Sequence, residues 1–455
     1  MEPWNLKEIA KILQLSCESD AEILDVCTDT RAITPGCLFI ALKGERFDGN
    51  DFVAQALETG AAAVVCSRKD TSASGVQLLV EDTLAAYQKL ARAYCEKFPI
   101  PKVALTGSVG KTTTKEMTAV VLEEKFRTLK TEGNWNNQIG VPRMAFRLEK
   151  SHTAAVFEMG MDHRHQIENL SRIVQPSIAI LTNIGLSHIE NLGSQEEILR
   201  SKLEILEGME PGAPLVLNGD DPFLAKAAAE TNHPVILYGL KNPTCHAFAD
   251  NIRQEGEETT FTMHLGETAF PVRLPTIGEH NVLNALAAAA VGEWLGETPD
   301  QITAGLLRYV PSGMRQKVVR LEGLTVIEDC YNASPDAVKA SLRTLRDFPG
   351  SGRKIAVLGD MKELGDYAEA SHRLCGQYAA EMGVEMLFTY GENSRFTAEE
   401  GQKNGLTVKN TSDAEELAND LVKYLQEGDT VLFKASRGMK LEEVIHLLYE
   451  KRENR

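Results

Sequence analysis

The chain has 455 residues, 43% of them hydrophobic and 25% charged, with a net charge of −17. At about 100–200 residues per domain, this length is too great for one ordinary core. The acidic balance with no basic block argues against a nucleic-acid surface, and no apolar run approaches the ~18 residues of a membrane helix.

The opening stretch "MEPWNLKEIA" carries acidic residues early and has no apolar core of a signal peptide, so a cytoplasmic protein is expected. The cysteines at 17, 27, 37, 66, 95, 245, 330 and 375 are scattered with no C-x-x-C pair, which reads as buried free thiols and not as a disulfide framework or zinc site. Residues 1–98 alternate short strands and helices and end in the helical run "TLAAYQKLARAYCEKF", so they read as a small α/β domain. "FPIPK" then reads as a linker. Residues 99–312 alternate apolar strands ("KVALTG", "TAAVFEMG", "SIAILTNIG", "APLVLNGDDP") with helices, the pattern of a parallel α/β sheet. Residues 313–455 restart that pattern with "LTVIEDCYN", "RKIAVLGDM", "EMLFTYG" and "TVLFKASRG", a second, doubly wound unit. Ligands of such sheets collect at the carboxyl ends of the strands.

The strand "KVAL" runs into "TGSVGKTT", residues Thr106, Gly107, Ser108, Val109, Gly110, Lys111, Thr112 and Thr113. The usual phosphate-binding spacing would put a glycine at Leu105, and here it stands at Gly107, so the loop is shortened. Its backbone N–H groups and a helix opening at Thr112 or Thr113 suit an anion, Lys111 suits the outer phosphates of a nucleotide, and the Thr112 hydroxyl suits Mg²⁺. Glu158 ends the next strand, where an acid commonly serves the nucleotide's magnesium, though a strand-ending acid is the plain alternative. His188 falls in the loop after "SIAILTNIG" and is either a metal ligand or a surface histidine.

Ser194 and Glu197 form the capping box of the helix "GSQEEILRSKLEILEGM". There Leu199, Lys202, Leu203 and Leu206 share one face, so Lys202 is either a snorkelling side chain or a desolvated reactive amine. In "GEHNVLNALAAAA", His280, Asn281 and Asn284 precede an alanine-rich helix. Asn281 is an N-cap on one reading and part of an amide pair for a purine edge on the other. Ser334 and Pro335 mark a helix start. Asp329, Asp360 and "KASR" from Lys434 to Arg437 end strands of the last region, where Asp329 suits a ribose hydroxyl and Arg315 a phosphate.

Together these motifs resemble the Mur ligases, the ATP-dependent amide ligases of peptidoglycan precursor synthesis, over essentially the whole chain. "TGSVGKTT", "FEMG", "GLSHIENLGS", "SKLEIL" and "GEHNVLNALAA" stand in family order. The resemblance implies three domains: 1–98 for the UDP-substrate, a central P-loop parallel-sheet ATPase domain over 99–312, and a Rossmann-like C-terminal domain over 313–455. "DTRAITPGCLFIALKGERFDGNDF", "TEGNWNNQIGVP", "EDCYNASPDAV" and "LGDMKELG" point within the family to the joining of D-alanyl-D-alanine to the carboxylate of UDP-N-acetylmuramoyl-tripeptide through an acyl phosphate. A sister ligase adding a diamino acid would usually carry a "DNPR"-type motif, absent here; a GTPase would need N-K-x-D, and the chain has no Asn-Lys dipeptide. A small-molecule kinase is the remaining alternative.

Residue by residue, the resemblance implies that 106–113 hold the ATP phosphates and that Thr112, Glu158 and His188 help bind magnesium, with two ions expected. Lys202 matches the lysine that becomes carbamylated and supplies further metal ligands. Asn281 and Asn284 match the adenine side, while Arg315 and Asp329 match contacts to γ-phosphate and ribose. Thr30 and Arg31 match the uridine-nucleotide motif, and Asn136 and Asn137 the loop near the muramoyl diphosphate. Tyr331 and Asn332 stand where some relatives place a lysine. A monomer without membrane or nucleic-acid partners is expected.

Overall fold

The computed structural model describes residues 1–311 and 313–453. Ser312, where the sequence reading ends the central domain, and residues 454 and 455 lie outside them. The chain forms two compact units, each built from several segments: 1–106, 125–180 and 201–215 in the first, and 107–124, 181–200 and 216–453 in the second. Among the described residues no helix is long and apolar enough to cross a membrane. All eight cysteines are free thiols, and only Cys17 is not buried.

In the first unit, strands Asp25–Cys27, Cys37–Ile40, Ala63–Cys66 and Val76–Leu79 form a parallel sheet. Its core is made by side chains such as Phe39, Val53, Ala56 and Val64. Strands Thr128–Lys130, Ala154–Glu158 and Lys102–Thr106 pair in parallel, Glu158 lying opposite Leu105. The strand Ala154–Glu158 is buried along its whole length, as expected of an apolar run in a covered parallel sheet.

The second unit carries a sheet in the spatial order Lys317–Leu321, Leu324–Glu328, Thr430–Lys434, Lys354–Gly359, Met386–Tyr390, Thr407–Thr411. All but the first pair are parallel. The carboxyl ends therefore bring Asp329, Asp360 and Lys434 to one rim, as the doubly wound reading requires. Ser334 caps the helix Pro335–Asp347, with Pro335 at its first position. The helix Glu279–Trp294 packs its alanine run, fully buried at Ala285 and Ala287 to Ala290, beside the helix Lys111–Leu122. Small residues set that approach: a Cβ on Gly292 would stand 2.6 Å from Val121 Cγ1.

Three local expectations change. The stretch expected to continue the parallel alternation includes an antiparallel meander, Ala247–Glu255, Glu258–Leu265 and Thr268–Leu274. Its strands alternate buried and half-exposed residues, as "ETTFTMHL" does, and turn at Gly256 and Gly266, both at positive φ; such one-faced strands pair as hairpins. The phosphate-loop helix begins at Lys111, one residue earlier than expected. The buried stripe of the helix Gln195–Leu203 and the 3₁₀ turn after it is Ile198, Ser201, Lys202 and Ile205, whereas Leu199, Leu203 and Leu206 are half-buried. Lys202 thus stays on the inner face while the leucines expected beside it turn to the flank.

Candidate active site

The second unit holds the phosphate loop. Gly107 (φ 152°) and Gly110 (φ 88°) adopt backbone conformations that favour glycine, and Gly107 leaves no room for a side chain beside Thr182. The loop is stapled by a residue the sequence reading passed over. Asn183 accepts from the Val109 N–H at Oδ1 (2.9 Å), donates from Nδ2 to the Val109 carbonyl (2.9 Å), and accepts from the Ser108 N–H at its own carbonyl (3.0 Å). Thr182 Oγ1 donates to the same Val109 carbonyl at 2.6 Å. Only the position of Asn183, just past a strand beside a P-loop strand, could have signalled this. Lys111 Nζ donates to the Gly107 carbonyl at 2.7 Å, so its charge lies over the loop. Thr112 is buried, and Thr113 hydrogen-bonds the buried Tyr309 phenol, whose pKa burial pushes up to about 12.

The asparagine pair is brought together. Asn281 is not the N-cap: the helix starts at Glu279 after Gly278, and Asn281 is buried in the first turn. Its Oδ1 accepts from Asn284 Nδ2 at 3.2 Å, and Asn284 Oδ1 accepts from Thr114 Oγ1 at 3.1 Å. A Cβ on Gly110 would lie 2.8 Å from that Asn284 oxygen, so the loop glycine is required by contact as well as by φ.

His188, at φ 64°, precedes the short helix Ile189–Leu192, and its Nδ1 lies 2.6 Å from Glu363 Oε2. The two groups are close, but Nδ1 is buried without a hydrogen-bond partner among the described residues, so the carboxylate sits beside the ring without fixing it by a hydrogen bond. Arg315 stacks its guanidinium 3.9 Å from the Tyr331 ring centroid, a cation–π contact that ties the two side chains together. The buried Asp329 Oδ2 accepts from Lys434 Nζ (2.7 Å) and Ser341 Oγ (2.5 Å). Asp360 Oδ1 accepts from the Ser394 N–H at 2.7 Å. Asp336, also missed in the sequence, stands beside the loop: a Cβ on Gly185 would meet its Oδ2 at 2.6 Å, and the Gly185 N–H donates to Ser108 Oγ. Burial, then the nearby Asp221, raises the Asp336 pKa.

In the first unit, Glu158 is buried at 2% exposure, and its Oε1 accepts from Asn136 Nδ2 at 2.7 Å. Asn137 acts locally, its Oδ1 accepting from the Ile139 and Gly140 N–H groups at the start of the helix Gly140–Ala145. Lys202 is 1% exposed. A cavity of about 580 Å³ is lined by Thr28, Asp29, Tyr87, Arg143, Phe146 and other residues. Thr30 and Arg31 form the adjoining 3₁₀ turn outside that lining. Arg31 is exposed and forks onto Asp29, and its hydrogen bonds hold the Asp29 carboxyl down at about 2. Among the described residues no group of three His, Cys, Asp or Glu side chains is arranged to hold a metal alone.

Comparisons with known proteins agree on one family. Residues 105–292 match the Mur ligase middle domain, 314–437 the Mur ligase glutamate ligase domain, and 22–95 the Mur ligase family catalytic domain. The chain is 41% identical over 431 residues to UDP-N-acetylmuramoyl-tripeptide–D-alanyl-D-alanine ligase of Bacillus subtilis (strain 168), covering 93% of each. It is 36% identical over 451 residues to the Escherichia coli (strain K12) protein of the same name, covering 98% of each. Among solved structures, MurF from Acinetobacter baumannii matches with a TM-score of 0.91 at 32% identity over 99% of both chains. MurF ligase from Thermotoga maritima in complex with ADP matches with a TM-score of 0.87 at 30% identity over 94% of this chain and 98% of that one.

Proposed function

The chain belongs to the Mur ligase family, and from that membership we infer the parts its residues play in the family's chemistry. It is an ATP-dependent, ADP-forming ligase that joins D-alanyl-D-alanine to the carboxylate of UDP-N-acetylmuramoyl-tripeptide. The observation that carries this is near-full-length likeness to relatives of that name combined with a stapled phosphate loop.

The peptide carboxylate attacks the γ-phosphorus of ATP, the bond to ADP breaks, and an acyl phosphate forms. The dipeptide amine then attacks the acyl carbon, loses a proton, and expels phosphate. Both reactants of the first step are anions and repel. Lys111 and Arg315 are the protein cations assigned to offset that repulsion. Thr106 Oγ1 is buried and has no hydrogen-bond partner among the described residues, which supports a phosphate at the loop's root. Asn281 and Asn284 are assigned to the adenine side and Asp329 to the ribose. The 580 Å³ cavity beside Asp29, Thr30 and Arg31 is assigned to the uridine nucleotide. Asn136 is assigned to orienting Glu158, next to the muramoyl end.

Magnesium needs no protein cage, because it takes one or two protein oxygens with phosphates and water. The buried Thr112 hydroxyl at the phosphate loop suits it, Glu158 and His188 are assigned to magnesium by their places in the family motifs, and the ion would screen the phosphate charge. By its place in the family motif, the buried Lys202 is assigned as the amine that adds CO₂, loses a proton and becomes a carbamate. That carbamate would supply oxygen ligands for a second ion.

The deciding assay is phosphate release with ATP, Mg²⁺, each UDP-muramoyl peptide, and either D-alanyl-D-alanine or a diamino acid. ADP and phosphate are expected only when tripeptide and D-alanyl-D-alanine are both present. Turnover with dipeptide and a diamino acid would indicate the sister reaction, and a stable phosphorylated product a kinase. In the same assay, Asn183→Ala removes both side-chain staples on Val109. It is expected to raise the KM for ATP about tenfold, equivalent to ~1.4 kcal/mol, with a smaller change in kcat. An unchanged KM would mean the loop holds its shape without that side chain.

A further inference from the structure

Gln316, directly after Arg315, is buried and sits at φ 54°, a left-handed backbone that non-glycine residues rarely adopt. Neither the sequence motifs nor the function assigned above uses it. Its Oε1 lies 3.1 Å from Asn281 Nδ2 and 3.1 Å from His280 Nε2, and its Nε2 donates to Thr344 Oγ1 at 3.4 Å. Burial, ahead of every other influence, pushes the His280 pKa down to about 4. The ring is therefore neutral near pH 7, with an Nε2–H free to donate to the glutamine oxygen.

Followed outward, these bonds make one directed relay. Thr114 Oγ1 donates to Asn284 Oδ1, Asn284 Nδ2 to Asn281 Oδ1, Asn281 Nδ2 to Gln316 Oε1, Gln316 Nε2 to Thr344 Oγ1, and Thr344 Oγ1 to the Ala340 carbonyl. Each amide gives a nitrogen forward and takes a donor on its oxygen. Turning any one of them sets oxygen against oxygen or nitrogen against nitrogen at an amide neighbour, and turning Asn281 does both. Its first member lies on the phosphate-loop helix, and its second presents an oxygen to Gly110. Its fourth member is the residue bonded through the chain to Arg315, which stacks on Tyr331.

We propose that Gln316 is a positioning residue that fixes the orientation of the Asn281–Asn284 amide pair and the backbone carrying Arg315 for the nucleotide. The proposal rests on the assignment of those asparagines to ATP. Gln316→Met keeps a side chain of similar length and removes the oxygen that receives Asn281 and His280. ADP binding, measured by titration calorimetry on the full chain, is expected to weaken about tenfold in Gln316→Met, with the thermal midpoint near that of the parent.

The sharper reading comes from combining variants. If the glutamine acts through Asn281, adding Gln316→Met to Asn281→Ala leaves the ADP dissociation constant at the value of Asn281→Ala alone. Effects that multiply overturn the proposal, as does a single Gln316→Met variant that binds ADP like the parent. Asn284→Ala separates the two levels. If it too leaves ADP binding unchanged, the assignment of the amide pair to the nucleotide falls, and the proposal with it. If it weakens binding while Gln316→Met does not, only the role of Gln316 falls.

Discussion

Lys202→Ala is expected to lower kcat by about 10³ while leaving the chain folded, and short carboxylic acids such as formate or acetate are expected to restore part of the lost rate. The size follows from removing negative ligands of a metal that stabilises the transferring phosphoryl group, an effect on the order of 10²–10³ for one well-placed electrostatic group and more where an ion is lost. The rescue follows from chemistry. A carbamate is a carboxylate-like group on nitrogen, so a small carboxylate diffusing into the space left by the side chain can offer the same oxygens. A lysine serving only to fill the inner face of the helix Gln195–Leu203 would give a different result. Loss of its methylenes would lower stability, and no added acid would repair the rate. Steady-state phosphate release with and without the acid, alongside circular dichroism, distinguishes the cases. Undiminished activity in Lys202→Ala would end the carbamate assignment.

The second large effect is expected at Glu158. Glu158→Gln keeps the shape and lets the new amide oxygen accept from Asn136 Nδ2 as the carboxylate does at 2.7 Å. What it subtracts is the charge. A fall in kcat of about 10²–10³ is expected, with the magnesium concentration for half-maximal rate moved upward. The second number carries the test. A glutamine that slows the enzyme yet leaves the magnesium titration where it was would make Glu158 a structural strand-end acid. His188→Ala gives the matching comparison: if the histidine serves the ion as proposed, the magnesium titration moves in this variant as well.

The parts of this molecule that were readable in the sequence are those whose chemistry is local. The phosphate loop, the Ser334 and Pro335 helix start, and the strand-end acids each follow from a few neighbouring residues and the period of the apolar pattern around them. Burial of Lys202 was readable only as one of two options, because the stripe it shares is made by Ile198, Ser201 and Ile205 and not by the leucines beside it. Asn183, Asp336 and Gln316 were silent. Their partners lie far along the chain: Asn183 meets Val109, Asp336 sits against Gly185, and Gln316 receives Asn281. No periodicity carries such pairings. The antiparallel meander lies between these extremes. Its alternation and its glycines were present, but the run of preceding parallel strands set the stronger expectation.

Bulk is forbidden where the helix Glu279–Trp294 faces the phosphate-loop helix. Ala285 and Ala287 to Ala290 are fully buried, and a Cβ on Gly292 would stand 2.6 Å from Val121 Cγ1. Side-chain size along that seam is therefore limited by distance and not by chemistry. A methyl group added there would wedge the two helices apart and carry Asn284 away from Gly110. The close fit of a seam far from any reacting atom thus sets the position of a side chain at the phosphate loop.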